Sequence, residues 1–219
     1  MPHTLGEEVS SLEPVFAAAR RVGKGAWIVL DIDHTLLRSS EYFGSEPWYE
    51  ACIERHIQTG LPEAEAILAA NADWEKVGAT VRWVAVEERS PEWLRNWQAS
   101  PALIMGLTCR TGVFAEPTRA QLLSVGIDLA ATALKKTWSG GGAYHGGVLY
   151  MGPLGEKGPV LREFALSAEV PPSHVFFVDD RHGHVRSVRH ELAQSGIPCS
   201  AVRLNVMDDS AHKLYGVPR

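Results

Sequence analysis

Ala26-Trp27-Ile28-Val29-Leu30-Asp31-Ile32-Asp33-His34-Thr35 is an apolar run that breaks into two acids one residue apart. From Ala26 to Leu30 there is no polar alternation, which predicts a strand covered on both faces, as in a parallel sheet, rather than one with a wet face. Its carboxyl end delivers Asp31 and Asp33. Side chains alternate across a strand, so an i, i+2 pair points the same way while strand geometry lasts, and the two carboxylates converge on one pocket. By the same rule His34 points away from them. Upstream, residues 12–22 have helical composition and end before Gly23 and Gly25, so the segment reads as helix, turn, buried strand.

The same grammar recurs twice further along. Residues 101–107 run into Thr108, and 174–178 run into Asp179 and Asp180, so three apolar strands each end in polar residues. Helices are expected at 91–99, with Ser90 as cap and Pro91 at the first position, at 116–125 closed by Gly126, at 157–167, and at 183–195 closed by Gly196. A last strand is expected at 199–206. Alternating strands and helices predict an α/β fold, a three-layer α/β/α sandwich on a central parallel sheet. Residues 38–85 break the rhythm. They set Trp48, Tyr49, Trp74 and Trp83 among helix-forming Ala and Glu, and read as a small helical cap inserted into a core made of 1–37 and 86–219. Aromatic residues in so small a unit could wall a substrate, but more often form its core. The glycine-rich stretch 139–152 reads as a hairpin beside the site.

Composition narrows the function. A chain of 219 residues, 45% hydrophobic and 21% charged, suits one soluble domain with an embellishment. A formal net charge of −5 removes the broad attraction that nucleic acid or an anionic membrane surface needs, and favours small-molecule chemistry. Cys52, Cys109 and Cys199 fit neither a disulfide framework nor paired metal-ligand spacing. With no secretory signal pattern and no apolar run of membrane-spanning length, a cytoplasmic location is expected. Oligomeric state is not legible.

Two carboxylates as close as Asp31 and Asp33 repel unless a cation bridges them or one holds a proton, and hard oxygen ligands suit Mg²⁺. One can attack phosphorus, while the other protonates the leaving oxygen and later deprotonates water. Thr108 offers a hydroxyl and an amide to a phosphate oxygen, Lys157 a positive charge at a helix start, and Asp179 and Asp180 the remaining carboxylate for the cation. Arg110 could contact substrate or brace a neighbouring carboxylate. His182, His184 and His190 share no helical face and lack a fourth ligand, which speaks against zinc.

These residues resemble the phosphatase branch of the haloacid dehalogenase-like superfamily from about Trp27 to Leu192. Asp31-Ile32-Asp33-His34-Thr35 looks like its first motif, Leu107-Thr108-Cys109-Arg110 its second, Lys157-Gly158 its third, and Phe177-Val178-Asp179-Asp180-Arg181 its fourth. The resemblance implies a Rossmann-like core and a Mg²⁺-dependent hydrolase of small phosphomonoesters working through an aspartyl-phosphate. Asp31 would be nucleophile and metal ligand, and Asp33 acid, base and ligand through its carbonyl. Thr108, Lys157 and Arg110 would face the phosphoryl group. Asp180 would contact the metal first, with Asp179 direct or through water, and His184 a stand-in for the residue that steadies it. A phosphotransferase or mutase using the same intermediate, and a silent phosphometabolite-binding module, are the rival readings.

Overall fold

The computed structural model describes residues 5–99, 102–138, 140–208 and 214–216. The first residues of the strand expected at 101–107 and of the hairpin expected at 139–152 lie outside them. In chain order the elements are β1 (Glu8–Val9), α1 (Glu13–Val22), β2 (Ala26–Leu30), β3 (Leu37–Ser39), α2 (Glu46–Gln58), α3 (Glu63–Gly78), β4 (Trp83–Ala85), α4 (Ser90–Gln98), β5 (Leu103–Thr108), α5 (Ala115–Ser124), β6 (Ala143–His145), β7 (Val148–Tyr150), α6 (Lys157–Leu166), β8 (His174–Asp179), α7 (His182–Gln194) and β9 (Cys199–Leu204).

A seven-stranded sheet in the order β1-β9-β8-β2-β5-β7-β6 forms the centre. Every pairing in it is parallel except the edge hairpin β6–β7. β2 lies in the middle between β8 and β5, and its side chains go alternately to two cores. Ala26, Ile28 and Leu30 join a cluster with Val15, Phe16 and Ala19 of α1, Leu94 of α4 and Leu122 of α5. Trp27 and Val29 join a second with Leu161 and Phe164 of α6 and Val185 and Val188 of α7. That is why the strand carries no polar alternation: helices cover both faces, giving the Rossmann-like α/β/α sandwich that the apolar runs predict.

Between β2 and β5 the chain leaves the sheet. β3 and β4 pair antiparallel as a separate two-stranded ribbon, Leu37 opposite Ala85 and Ser39 opposite Trp83. They enclose the helix hairpin α2–α3, whose Trp48, Cys52, Ala70 and Trp74 join the α1 and α4 side of the core. Ser45 caps α2 by accepting from the Trp48 amide at 3.4 Å, with Pro47 in the first turn. α2 and α3 thus hang over the carboxyl ends of β2, β5 and β8.

Candidate active site

The carboxyl edge of the sheet assembles the predicted acids. The Asp31 amide donates to Val178 O at 2.9 Å, extending the β2–β8 ladder by one residue. A tight loop follows, with the amides of Leu36 and Leu37 both donating to Ile32 O, and it brings Asp33 back to the cavity beside Asp31. The pocket holds about 190 Å³. Asp31, Asp33, Asp180, Cys109 and Arg110 line it from the sheet side, and Glu46, Tyr49, Asn71 and Trp74 from α2 and α3.

Lys157 is 1% exposed and sits between two acids, bonded to Asp31 and, at 2.6 Å, to Asp179. It arrives there because Gly158 lets α6 press on α7: a Cβ on that glycine would come within 2.5 Å of Ser187 O. Burial works against the lysine's charge, but Asp179 and Asp31 outweigh it and hold the ammonium well above its usual range. Asp179 is likewise fully buried. Its environment would raise it, yet Lys157 and His184 bring it down to about 2, with His184 Nδ1 at 3.1 Å from both its oxygens. Opposed by burial, His184 is raised to about 9 chiefly by Asp179. His184 therefore steadies the fourth-motif acid. His182 instead pairs with Glu8 at 3.1 Å, and His190 meets Gln194 on the surface, so the three histidines do not gather.

Asp180 points into the pocket, where His34 stands 3.9 Å away and no lysine or arginine among the described residues forms an ion pair with it, and burial with Asp31 and Asp179 nearby pushes it up to about 8. Burial, offset in part by Lys157, leaves Asp31 at about 6. Carboxylate oxygens of Asp31, Asp179 and Asp180 lie within 4.8 Å of one another. Asp31 and Asp180 are both pushed up by burial and by the acids around them, and a divalent ion held between them would relieve that repulsion. The donors are hard oxygens on a site held by ladder bonds, and they fit Mg²⁺.

Arg110, left open between two roles by the sequence, braces a carboxylate. Its Nε and Nη2 donate to the two oxygens of Asp33 at 2.9 and 2.8 Å, a bidentate pair. Its Nη1 donates to Thr118 and Gln121 at 2.9 and 2.6 Å, and its guanidinium stacks 4.5 Å from the Trp74 ring. Burial alone would raise Asp33, but Arg110 prevails and holds it below the usual carboxylate range. The Thr108 hydroxyl is buried and accepts the Arg110 amide at 3.1 Å. Neither Thr108 nor Lys157 is on the pocket wall; both lie beneath it.

The expected direction of His34 requires correction. Its φ of 61° is left-handed, because the chain has already left strand geometry and alternation no longer governs it. The ring turns into the pocket, Nδ1 3.3 Å from Glu46 and 3.9 Å from Asp180. Glu46 is a residue the sequence reading missed. As an acid in the first turn of a helix it looks like ordinary dipole compensation, yet it also accepts from Arg181 at 2.5 Å. Held first by His34 and then, against burial, by Arg181, its carboxyl falls to about 2. Of the four aromatics, Tyr49 and Trp74 reach the pocket, Trp48 packs in the core, and Trp83 backs Arg110 at 5.2 Å.

Fold and site together define a Rossmann-like α/β protein with a cluster of acids at the carboxyl edge of its sheet, where ligands of such sheets bind. Residues 8–214 match a family described as a protein of unknown function, DUF2608, and the chain belongs to that family. A putative outer membrane protein of Chlamydia pneumoniae is 24% identical over 209 residues, 90% of this chain and 78% of that one. Among solved structures, protein tyrosine kinase A of Mycobacterium tuberculosis aligns with a TM-score of 0.50 at 16% identity, over 87% of this chain and 98% of that one. The class C acid phosphatase of Bacillus anthracis aligns with a TM-score of 0.47 at 18% identity, over 89% and 73%. Identities this low speak to the fold alone. Among the described residues no helix is long and apolar enough to cross a membrane.

Proposed function

We propose that this chain is a Mg²⁺-dependent phosphohydrolase acting on a small phosphomonoester, with residues 38–85 as a cap over the site. The observation that carries the reading is the pair Asp31 and Asp33 on one pocket, the first bonded to buried Lys157 and the second clamped by Arg110. Asp31 is the nucleophile: its carboxylate attacks phosphorus in line and the ester oxygen leaves, giving an aspartyl-phosphate. Asp33 handles protons. Arg110 keeps it ionised in the free protein, so it takes its proton from a monoanionic ester, passes it to the leaving oxygen, and is again a carboxylate ready to deprotonate the water that hydrolyses the intermediate. Lys157 supplies a fixed charge behind Asp31, and Thr108 holds the loop that carries Arg110.

Asp31, Asp180 and the carbonyl of Asp33 would hold Mg²⁺, with Asp179 fixed behind them by Lys157 and His184. The ion would neutralise charge on the phosphoryl oxygens. We place the protein in a reducing compartment, the cytoplasm, in keeping with free Cys52, Cys109 and Cys199. Phosphate release from a panel of phosphomonoesters, with Mg²⁺ and with chelator, tests the proposal. Mg²⁺-dependent release that disappears in Asp33→Asn is the expected result; release that persists undiminished in Asp31→Asn would remove the nucleophile from the mechanism.

A further inference from the structure

We propose that the roof of this pocket selects a short, hydroxyl-bearing alcohol on the phosphoryl group, a small polyol phosphate rather than a nucleoside monophosphate, with Glu46 setting the size limit. This rests on the phosphohydrolase reading above. The cavity of about 190 Å³ lies below the range of about 300–1,000 Å³ that encloses drug-sized ligands. Its deep half belongs to the acids and the phosphoryl group. What remains for the alcohol is bounded by the phenol of Tyr49, the amide of Asn71 and the indole of Trp74. A phenol and an amide both donate and accept, as hydroxyls do.

Glu46 is held by Arg181 at 2.5 Å and by His34 at 3.3 Å, and that double tie limits size. Glu46 begins α2, while Arg181 and His34 belong to the loops after β8 and β2, so the tie fastens the roof directly onto the two acid-bearing loops. On the other flank Thr111 donates to Glu75 of α3 at 2.6 Å. An alcohol as large as a nucleoside would have to part Glu46 from both partners, whereas a small polyol fits beneath them.

The test compares kcat/KM of the full chain with Mg²⁺ on glycerol phosphate and on adenosine monophosphate. The expected preference for the former is at least about tenfold. Glu46→Ala should bring the two within about threefold, mainly through a lower KM for the nucleotide. Tyr49→Ala, which leaves the tie intact and widens the roof, should move the ratio the same way; general damage would lower both rates and leave the ratio alone. Equal use of the two esters by the unaltered protein, or a ratio that neither variant moves, would overturn the size limit while the phosphohydrolase reading stands. No release from any phosphomonoester would remove that reading, and this inference with it.

Discussion

On the floor of the pocket, Asp31 and Asp179 sit on neighbouring parallel strands, with backbone ladder bonds on either side and a buried lysine between them. In the roof, Glu46, Tyr49 and Trp74 come from a helix hairpin that reaches the floor through side chains: the ties of Glu46 and Glu75, the stacking of Trp74 on Arg110, and the bond from Gln121 to Gly78 O at 3.0 Å. Ladder bonds are cooperative and open with the whole domain, while side-chain ties, some of them at the surface, can open locally. For the proposed hydrolysis that division suits the work: placing reacting groups demands fixed distances, and admitting substrate and releasing product demands an element that moves.

The sharpest break is Asp31→Asn, which keeps shape and removes the attacking charge. Turnover should fall by about 10³-fold or more, with an unchanged circular dichroism spectrum. Lys157→Met attacks the floor's stability instead. It strips the cation from between Asp31 and Asp179, and removing one partner of a buried pair costs about 3–5 kcal/mol, read by urea denaturation. Added Mg²⁺ should recover part of that loss, because the ion answers the same carboxylates. In the unaltered protein, Mg²⁺ at about 100 times its Kd should stabilise by about 2.7 kcal/mol, seen as a raised Tm, and Asp180→Asn should shrink the shift.

The smallest effect distinguishes the two regions without any catalysis. Cys52 is buried under α2, and Cys199 lies in β9; burial raises both thiols, the latter to about 12. At pH 8 a thiol so raised stays protonated and reacts slowly while the surrounding structure is closed. In a urea series, Cys52 should become open to alkylation before Cys199, by about 1 kcal/mol or more of opening free energy. Simultaneous labelling of the two would show that roof and floor open as one unit.

Legibility divided along the same line. The floor could be read because its signals are local: apolar runs too continuous for a one-sided strand, acids at their ends, and Gly126 and Gly196 closing helices. The existence of helices in 38–85 was visible from composition, but β3 and β4 were not, since Leu37-Arg38-Ser39 and Trp83-Val84-Ala85 are three residues each and take their form from one another across more than forty positions. β1 is shorter still and owes its place to β9. Glu46 was invisible for the same reason, being 135 residues from Arg181. His34 was misjudged because the alternation rule was carried past the end of the strand at Leu30, and a left-handed backbone turns its ring inward. Thr108 and Lys157, expected to face a phosphoryl group, lie beneath the pocket wall rather than on it.

The margins of the central sheet have a consequence for how this protein behaves among copies of itself. At one border stands a strand of two residues, Glu8–Val9, and at the other one of three, Ala143–His145, which the hairpin folds back antiparallel. Glu8 carries charge at the first border, paired to Arg203, and His145 at the second meets Glu116 at 2.9 Å. Unpaired backbone on a long flat border is what recruits foreign strands, and short charged ones offer little of it. A sheet rich in Val, Ile and Phe at its centre thus offers foreign strands little unpaired backbone at its margins.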